Sequence, residues 1–180
     1  CALDHIDELN KHISEVEQEI LCLSDKYEAA LNLIRTVPGF NKNPMTAIQV
    51  LSEIGCDMSV FPTDKHLVSW AGCCPRNDKS DRKIKSTRIS CTGSYFKPVL
   101  VQVANALIKS KKHPEFITRY KRIKVRRGHK KAIIAICRMI LTAIWHILSD
   151  LKPYTPEGFL ESRPVKKEKI LTTSQALNLS

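Results

Sequence analysis

Acidic side chains are scarce over half of this 180-residue chain: residues 61–152 hold 5 Asp or Glu against 21 Lys or Arg. Residues 1–60 reverse the balance, with 10 acidic and 4 basic side chains, so the net charge of +11 is segregated along the chain. A middle segment this basic attracts polyanions, and nucleic acid offers the most extended matching surface. Charge alone leaves open a basic protein with no such partner. Long apolar runs are lacking as well: stretches such as Ala132 to Ile136 are cut by Arg and Lys and fall short of the roughly 20 residues that cross a bilayer. No membrane partner is expected. The seven cysteines, at 1, 22, 56, 73, 74, 91 and 137, form no C-x-x-C pair, which excludes the usual start of a zinc or redox site. Their odd number fits a reduced, cytoplasmic setting, and the adjacent Cys73 and Cys74 read as ordinary buried residues because a vicinal disulfide is strained. An initiating Met and a signal pattern are missing too, since the chain opens Cys1-Ala2-Leu3-Asp4-His5. The expectation is a piece of a longer protein, with one modest domain plus an appendage and no internal repeat.

What is present is mostly helical pattern. Ile6, Leu9, Ile13, Val16, Ile20, Leu23, Tyr27, Ala30 and Ile34 recur in alternating steps of three and four, an a/d heptad seam that predicts one long helix. Its partner is either a second copy or a helix from an upstream segment, because a seam specifies packing and not partner. Thr36-Val37-Pro38-Gly39-Phe40 breaks the pattern, and a second helix runs from Pro44 to Ile54 and stops at Gly55. Helix, Pro-Gly turn and helix resemble a helix-hairpin-helix, in which turn amides and a helix N-terminus hold a phosphate; a purely structural turn fits equally. A short helix from Lys65 to Ala71, capped by Thr63 or Asp64, ends at Gly72. Residues 73–93 are basic and without helical period, with Ile84 to Ile89 as a candidate strand, and a loop of that length is usually functional or disordered. Ser94 is placed to cap a helix with Phe96, Val99, Leu100, Val103, Ala104 and Leu107 on its core face. A basic helix from Pro114 to Val125 follows, then Gly128, then an apolar helix from Lys130 to Leu148 with Ile133, Ile136, Cys137, Ile140, Ile144 and Ile147 inward. The tail from Pro153 has a poorly ordered composition.

Candidate chemistry lies in the basic loop. A serine hydroxyl attacking a phosphodiester needs cations beside it, because negative charge builds on the phosphoryl oxygens and the alkoxide. Ser80 has Arg76, Lys79, Arg82, Lys83, Lys85 and Arg88 close in sequence, and arginine's planar fork suits two phosphate oxygens at once. Composition equally supports a turn serine, and Ser86, Ser90 and Ser94 are rivals. Asp57, Asp64, Asp78 and Asp81 are too scattered to carry a metal, and the six histidines are scattered too.

The run Ser69-Trp70-Ala71-Gly72-Cys73-Cys74-Pro75-Arg76-Asn77-Asp78-Lys79-Ser80, then Lys85-Ser86-Thr87-Arg88-Ile89-Ser90 and Gly93, resembles the C-terminal Tnp domain of the IS-one-ten insertion-sequence transposases. These are bridge-RNA-guided recombinases related to the Piv invertases. Val37-Pro38-Gly39, Thr46-Ala47, Glu53-Ile54-Gly55, Leu100-Val101-Gln102 and Arg127-Gly128-His129-Lys130-Lys131-Ala132-Ile133 extend the similarity over about residues 31–150. The resemblance implies that Ser80 is the nucleophile that becomes joined to DNA. It implies a RuvC-like domain elsewhere that binds Mg²⁺, with no cofactor in this chain, and a guide RNA as a second nucleic-acid partner. It assigns residues 6–34 to homo-oligomer formation. Asp81 stands where the family commonly has a small residue, and Asn41 where a hairpin of this type has its second glycine.

The expected architecture is mainly α: a long coiled-coil helix over 1–35, a compact helical domain over 36–150 with a helix-hairpin-helix-like unit and a basic catalytic loop, and a poorly ordered tail over 151–180. The expected function is a DNA transposase fragment in the cytoplasm of a bacterial or archaeal cell, associated with the nucleoid, with a non-catalytic nucleic-acid-binding module as the alternative. Arg76, Lys79, Arg82, Lys83, Lys85, Thr87 and Arg88 are expected at the scissile or adjacent phosphates, and Arg119, Arg122, Arg126, Arg127 and Lys130 along the backbone.

Overall fold

The computed structural model describes residues 2–75, 78–80, 83–86, 89, 93, 95–110 and 112–156. The described chain is mainly helical. The predicted long helix is divided in two: α1 (Ala2–Ser24) and α2 (Glu28–Thr36) are separated by a 3-10 turn at Asp25–Tyr27. The Ser24 hydroxyl donates back to the Leu21 carbonyl at 2.7 Å, a contact that bends helices. Beyond the bend α2 turns inward and buries Ile34, whereas α1 buries only Ser24. A straight helix would carry α2 away from the core it packs against.

The turn after α2 is built into the interior: Val37, Pro38 and Phe40 are buried. Gly39 has φ +96°, and a Cβ there would stand 2.6 Å from Val103 Cγ1. α3 (Pro44–Ile54) begins with Pro at its first turn, and the Asn43 side chain accepts from Met45 N–H at 2.9 Å. The Pro-Gly turn therefore serves packing, and part of the α3 N-terminus is capped by the chain itself.

A 3-10 turn at Met58–Val60 leads to α4 (Asp64–Trp70), one residue earlier than the spacing predicts. The basic loop contains an antiparallel pair, β1 (Asp78–Ser80) and β2 (Lys83–Ser86). α5 (Phe96–Ser110), α6 (Pro114–Arg127) and α7 (His129–Asp150) complete the described elements. The predicted core faces of α5 and α7 are buried, from Phe96 through Leu107 and from Ile133 through Ile147.

α7 is the central element and touches α2, α4, α5 and α6. By length and composition it is apolar enough to cross a membrane, which corrects the sequence expectation: Ala132 to Leu148 holds a single Arg, Arg138. Most of its apolar residues are buried against the surrounding helices, as in the core helix of a helical domain. Polar ties fix its register: Trp145 Nε1–H donates to the Phe61 carbonyl at 2.9 Å, and Thr142 Oγ1 donates to Asp64 Oδ2 at 3.0 Å. Packing also continues past Pro153. Tyr154 N–H donates to Thr36 Oγ1 at 2.9 Å and its hydroxyl to Glu115 Oε1 at 3.4 Å.

Candidate nucleic-acid interface and nucleophile

The β1–β2 hairpin leaves the core and returns to it at one point. Ala71, Gly72 and Cys73 are buried where the chain departs, and Cys73 N–H donates to the Val68 carbonyl at 3.1 Å. The chain returns at Gly93, φ +72°, where a Cβ would lie 3.0 Å from the Ala71 carbonyl oxygen. Gly93 is thus the residue that lets both ends of the stem meet. Lys97 N–H then closes the first turn of α5 on the Gly93 carbonyl at 2.9 Å. Pro75 pairs with Ile89 at the stem.

Beyond the stem, Asp78 is opposite Ser86, Lys79 opposite Ile84 and Ser80 opposite Lys83, with a bulge between Asp78 and Lys79. Ser80 is the last residue of β1, and its register partner is a lysine. The structure therefore brings together Ser80, Lys79, Lys83 and Lys85 on one short hairpin. The rival Ser86 occupies the far end of β2. Arg76, Asp81, Arg82, Thr87, Arg88, Ser90 and Ser94 lie outside the described residues.

Beneath the stem sit two buried thiols. Burial pushes the Cys73 thiol up to about 11, with Lys97 and Arg138 opposing the rise and Cys74 adding to it. Burial, then Cys73, pushes Cys137 up to about 12. Both remain protonated at neutral pH and act as apolar packing, whereas Cys74 is only half-buried. Lys97 and Arg138 thereby come within electrostatic range of the hairpin root, a pairing that sequence reasoning missed. Two signals point to them: Arg138 interrupts the apolar α7, and Lys97 is a cation in a first helical turn, where the helix dipole disfavours one.

A second basic surface is the α6–α7 corner. Phe116 and Tyr120 bury one face of α6, while Arg119, Lys121, Arg122, Lys124, Arg126, Arg127, Lys130 and Lys131 are exposed. Gly128, φ +80°, makes the corner and its N–H donates to the Lys124 carbonyl at 2.9 Å. The Tyr120 hydroxyl is 2.8 Å from His129 Nδ1, and Lys124 Nζ stands 5.6 Å from the Tyr120 ring centroid. These contacts lock a dense cationic elbow. They also give His129 a structural partner. Among the described residues, no three of His, Cys, Asp or Glu form a group able to hold a metal ion.

The family model of the transposase IS116/IS110/IS902 family matches residues 31–121, from α2 into α6, and so takes in the entire hairpin. The chain belongs to this transposase family. Two curated relatives are pilin gene-inverting proteins. That of Moraxella lacunata is 27% identical over 156 residues, 84% of this chain and 48% of the relative. That of Moraxella bovis is 29% identical over 150 residues, 82% of this chain and 45% of the relative. The transposase chain spans about half the length of these curated relatives. No solved structure matches it.

Proposed function

We propose that this transposase-family chain is the serine-bearing half of a DNA recombinase, with Ser80 as nucleophile. The observation that carries the proposal is the register of Ser80 opposite Lys83 at the end of β1, in a segment covered by the family match. In the reaction, Ser80 Oγ forms a bond to phosphorus and the bond from phosphorus to a deoxyribose oxygen breaks. The serine proton passes to a base, and the departing oxygen acquires one. The covalent phosphoserine conserves the phosphodiester's energy, so a deoxyribose hydroxyl of another strand can reverse the step and complete strand exchange. Cations close to Ser80 in sequence, Arg76, Lys79, Arg82, Lys83, Lys85 and Arg88, stabilise the charge that builds on the phosphoryl oxygens.

Mg²⁺ belongs, in this proposal, to acidic residues of a RuvC-like domain outside this chain and supplies Lewis-acid assistance to the same phosphate. The α6–α7 elbow tracks the backbone of DNA and of a guide RNA, a mode that positions nucleic acid without reading sequence. The assembly is a homo-oligomer through residues 6–34 that works in the cytoplasm on nucleoid DNA; the isolated chain is inactive. The second reading, a non-catalytic binding module, draws on Asp81: a carboxylate next to the nucleophile opposes a phosphate unless it is paired. A recombination reporter with the full-length protein separates the two. Ser80→Ala is expected to abolish joined product while retaining DNA binding. Unchanged product from Ser80→Ala overturns the nucleophile, and DNA binding without product from the unmodified protein establishes the module.

A further inference from the structure

Three aromatic rings meet where the hairpin leaves the core. Trp70, the last residue of α4, lies 5.6 Å from Phe61 and 5.9 Å from Phe96 between ring centroids, at interplanar angles of 60° and 55°. Phe61 and Phe96 are buried, and Phe61 is fixed further by the Trp145 bond to its carbonyl. Tilted neighbours of this kind brace an indole without stacking on it. Trp70 stays 44% exposed, and Tyr95, next to Phe96, is 80% exposed and takes little part in the packing. Both flank the hairpin root: Trp70 precedes Ala71, whose carbonyl closely approaches Gly93, and Tyr95 follows Gly93 by two residues.

We infer that Trp70 and Tyr95 form a stacking platform for an unpaired DNA base close to the phosphate that the hairpin engages. The inference rests on the proposed recombinase function and adds the state of the substrate: a strand with one base out of the duplex. Aromatic rings accept any base on their faces, and binding sites for single strands pair such rings with cations along the backbone. Cations surround this platform in the fold, with Lys79, Lys83 and Lys85 on the hairpin and Lys97 and Arg138 near its root. An apolar protein partner would have to bury those charges, whereas a nucleotide meets rings with its base and cations with its phosphate. Distance suits the same substrate. Pro75 at the stem and Ser80 are five residues apart, so chain reach keeps Ser80 within about 18 Å of the stem. At about 3.4 Å per nucleotide along a strand, the stacked base lies within roughly five nucleotides of the attacked phosphate. Strand exchange requires bases near the cut to leave one partner for another, and a braced indole holds one of them while it is unpaired.

An abasic scan tests the platform in the full-length protein carrying Ser80→Ala, so that binding is read without covalent capture. Single abasic residues are walked along DNA from the element's end, with guide RNA present, and affinities are measured alone and with Trp70→Leu, Trp70→Phe or Tyr95→Ala added. At one position, removing the base is expected to weaken binding about 5- to 150-fold, and to have no further effect in Trp70→Leu or Tyr95→Ala. Trp70→Phe, which keeps a ring, is expected to restore part of the sensitivity. A purely structural role for Trp70 would weaken binding equally with and without the base, and Tyr95→Ala, at an exposed position, leaves the buried core intact. Losses that simply add at every position overturn the platform, and coupling found only with abasic residues in the guide RNA overturns DNA as its occupant. Failure of the nucleophile is a separate result, because it shows as an unmodified protein that binds DNA and yields no adduct. No DNA binding by the unmodified protein overturns both readings.

Discussion

Gly39→Ala tests how the Pro-Gly turn is built into the fold. Two penalties coincide at this residue. Its φ of +96° lies where side-chain-bearing residues are strained, which costs about 1–3 kcal/mol. The added Cβ would also stand 2.6 Å from Val103 Cγ1 and 3.3 Å from Leu107 Cγ, and both side chains are buried. Neither can swing aside into solvent, so overpacking adds about 1–3 kcal/mol. The sum, about 2–6 kcal/mol, is a large part of the roughly 5–15 kcal/mol of a typical domain. Gly55→Ala and Gly128→Ala provide the comparison, since they have φ of +75° and +80° but nothing within 4 Å of the added methyl. They carry only the backbone strain, about 1–3 kcal/mol. Urea denaturation of the three variants therefore separates the two terms. Gly39→Ala is expected to lose about 1–3 kcal/mol more than either control. Equal losses at all three positions would refute the close approach of the turn to α5.

Three further outcomes follow from the same geometry. Replacing Arg126, Arg127 and Lys130 with Gln is expected to reduce the slope of log affinity for duplex DNA against log salt by up to ~2.7, about 0.9 per lost phosphate contact; an unchanged slope removes the elbow from the interface. Cys137 is raised from 9.0 to about 12 by burial, so at high pH the unfolded thiol ionises before the folded one. Its contribution to stability is complete below pH 9 and is lost as pH rises from 9 toward 12, so urea midpoints measured between pH 8.5 and 10.5 should fall less steeply in Cys137→Ala than in the unmodified protein. Tyr154→Phe removes the 3.4 Å hydrogen bond to Glu115 and is expected to cost about 0.5 kcal/mol, at the weak end for so long a contact, again read from urea denaturation.

The faces of α5 and α7 were legible because helical periodicity is local: residues three and four apart share a face whatever the rest of the chain does. The stops at Gly55 and Gly128 were legible for a similar reason, since each needs a positive φ. The features that escaped depend on distant partners. Asp78-Lys79-Ser80 has little strand propensity and becomes β1 only because Lys83–Ser86 lies across from it. The bend at Asp25–Tyr27 interrupts an unbroken heptad pattern because α2 must reach α3 and α7, a demand the pattern does not contain. Tyr154 lies in a Pro-containing tail segment, and its anchors, Thr36 and Glu115, are far away in sequence. Of the candidate site, the basic run and its serines were visible as composition, but choosing Ser80 among them needed the family resemblance. Register adds that Ser80 ends a strand opposite a lysine, whereas Ser86 sits at the other end of the hairpin. The proximity of Lys97 and Arg138 to the hairpin root had no sequence pattern at all, because it arises where α5 and α7 meet beneath Cys73.

Covalent trapping tests the central claim most directly. The full-length protein is incubated with Mg²⁺, guide RNA and labelled DNA from the element's end, run on a denaturing gel beside its Ser80→Ala variant, and the adduct is digested and mapped by mass spectrometry. The account predicts a protein–DNA adduct on the peptide containing Ser80, lost in Ser80→Ala and retained in Ser86→Ala. An adduct that persists in Ser80→Ala, or that maps to another residue, would contradict it.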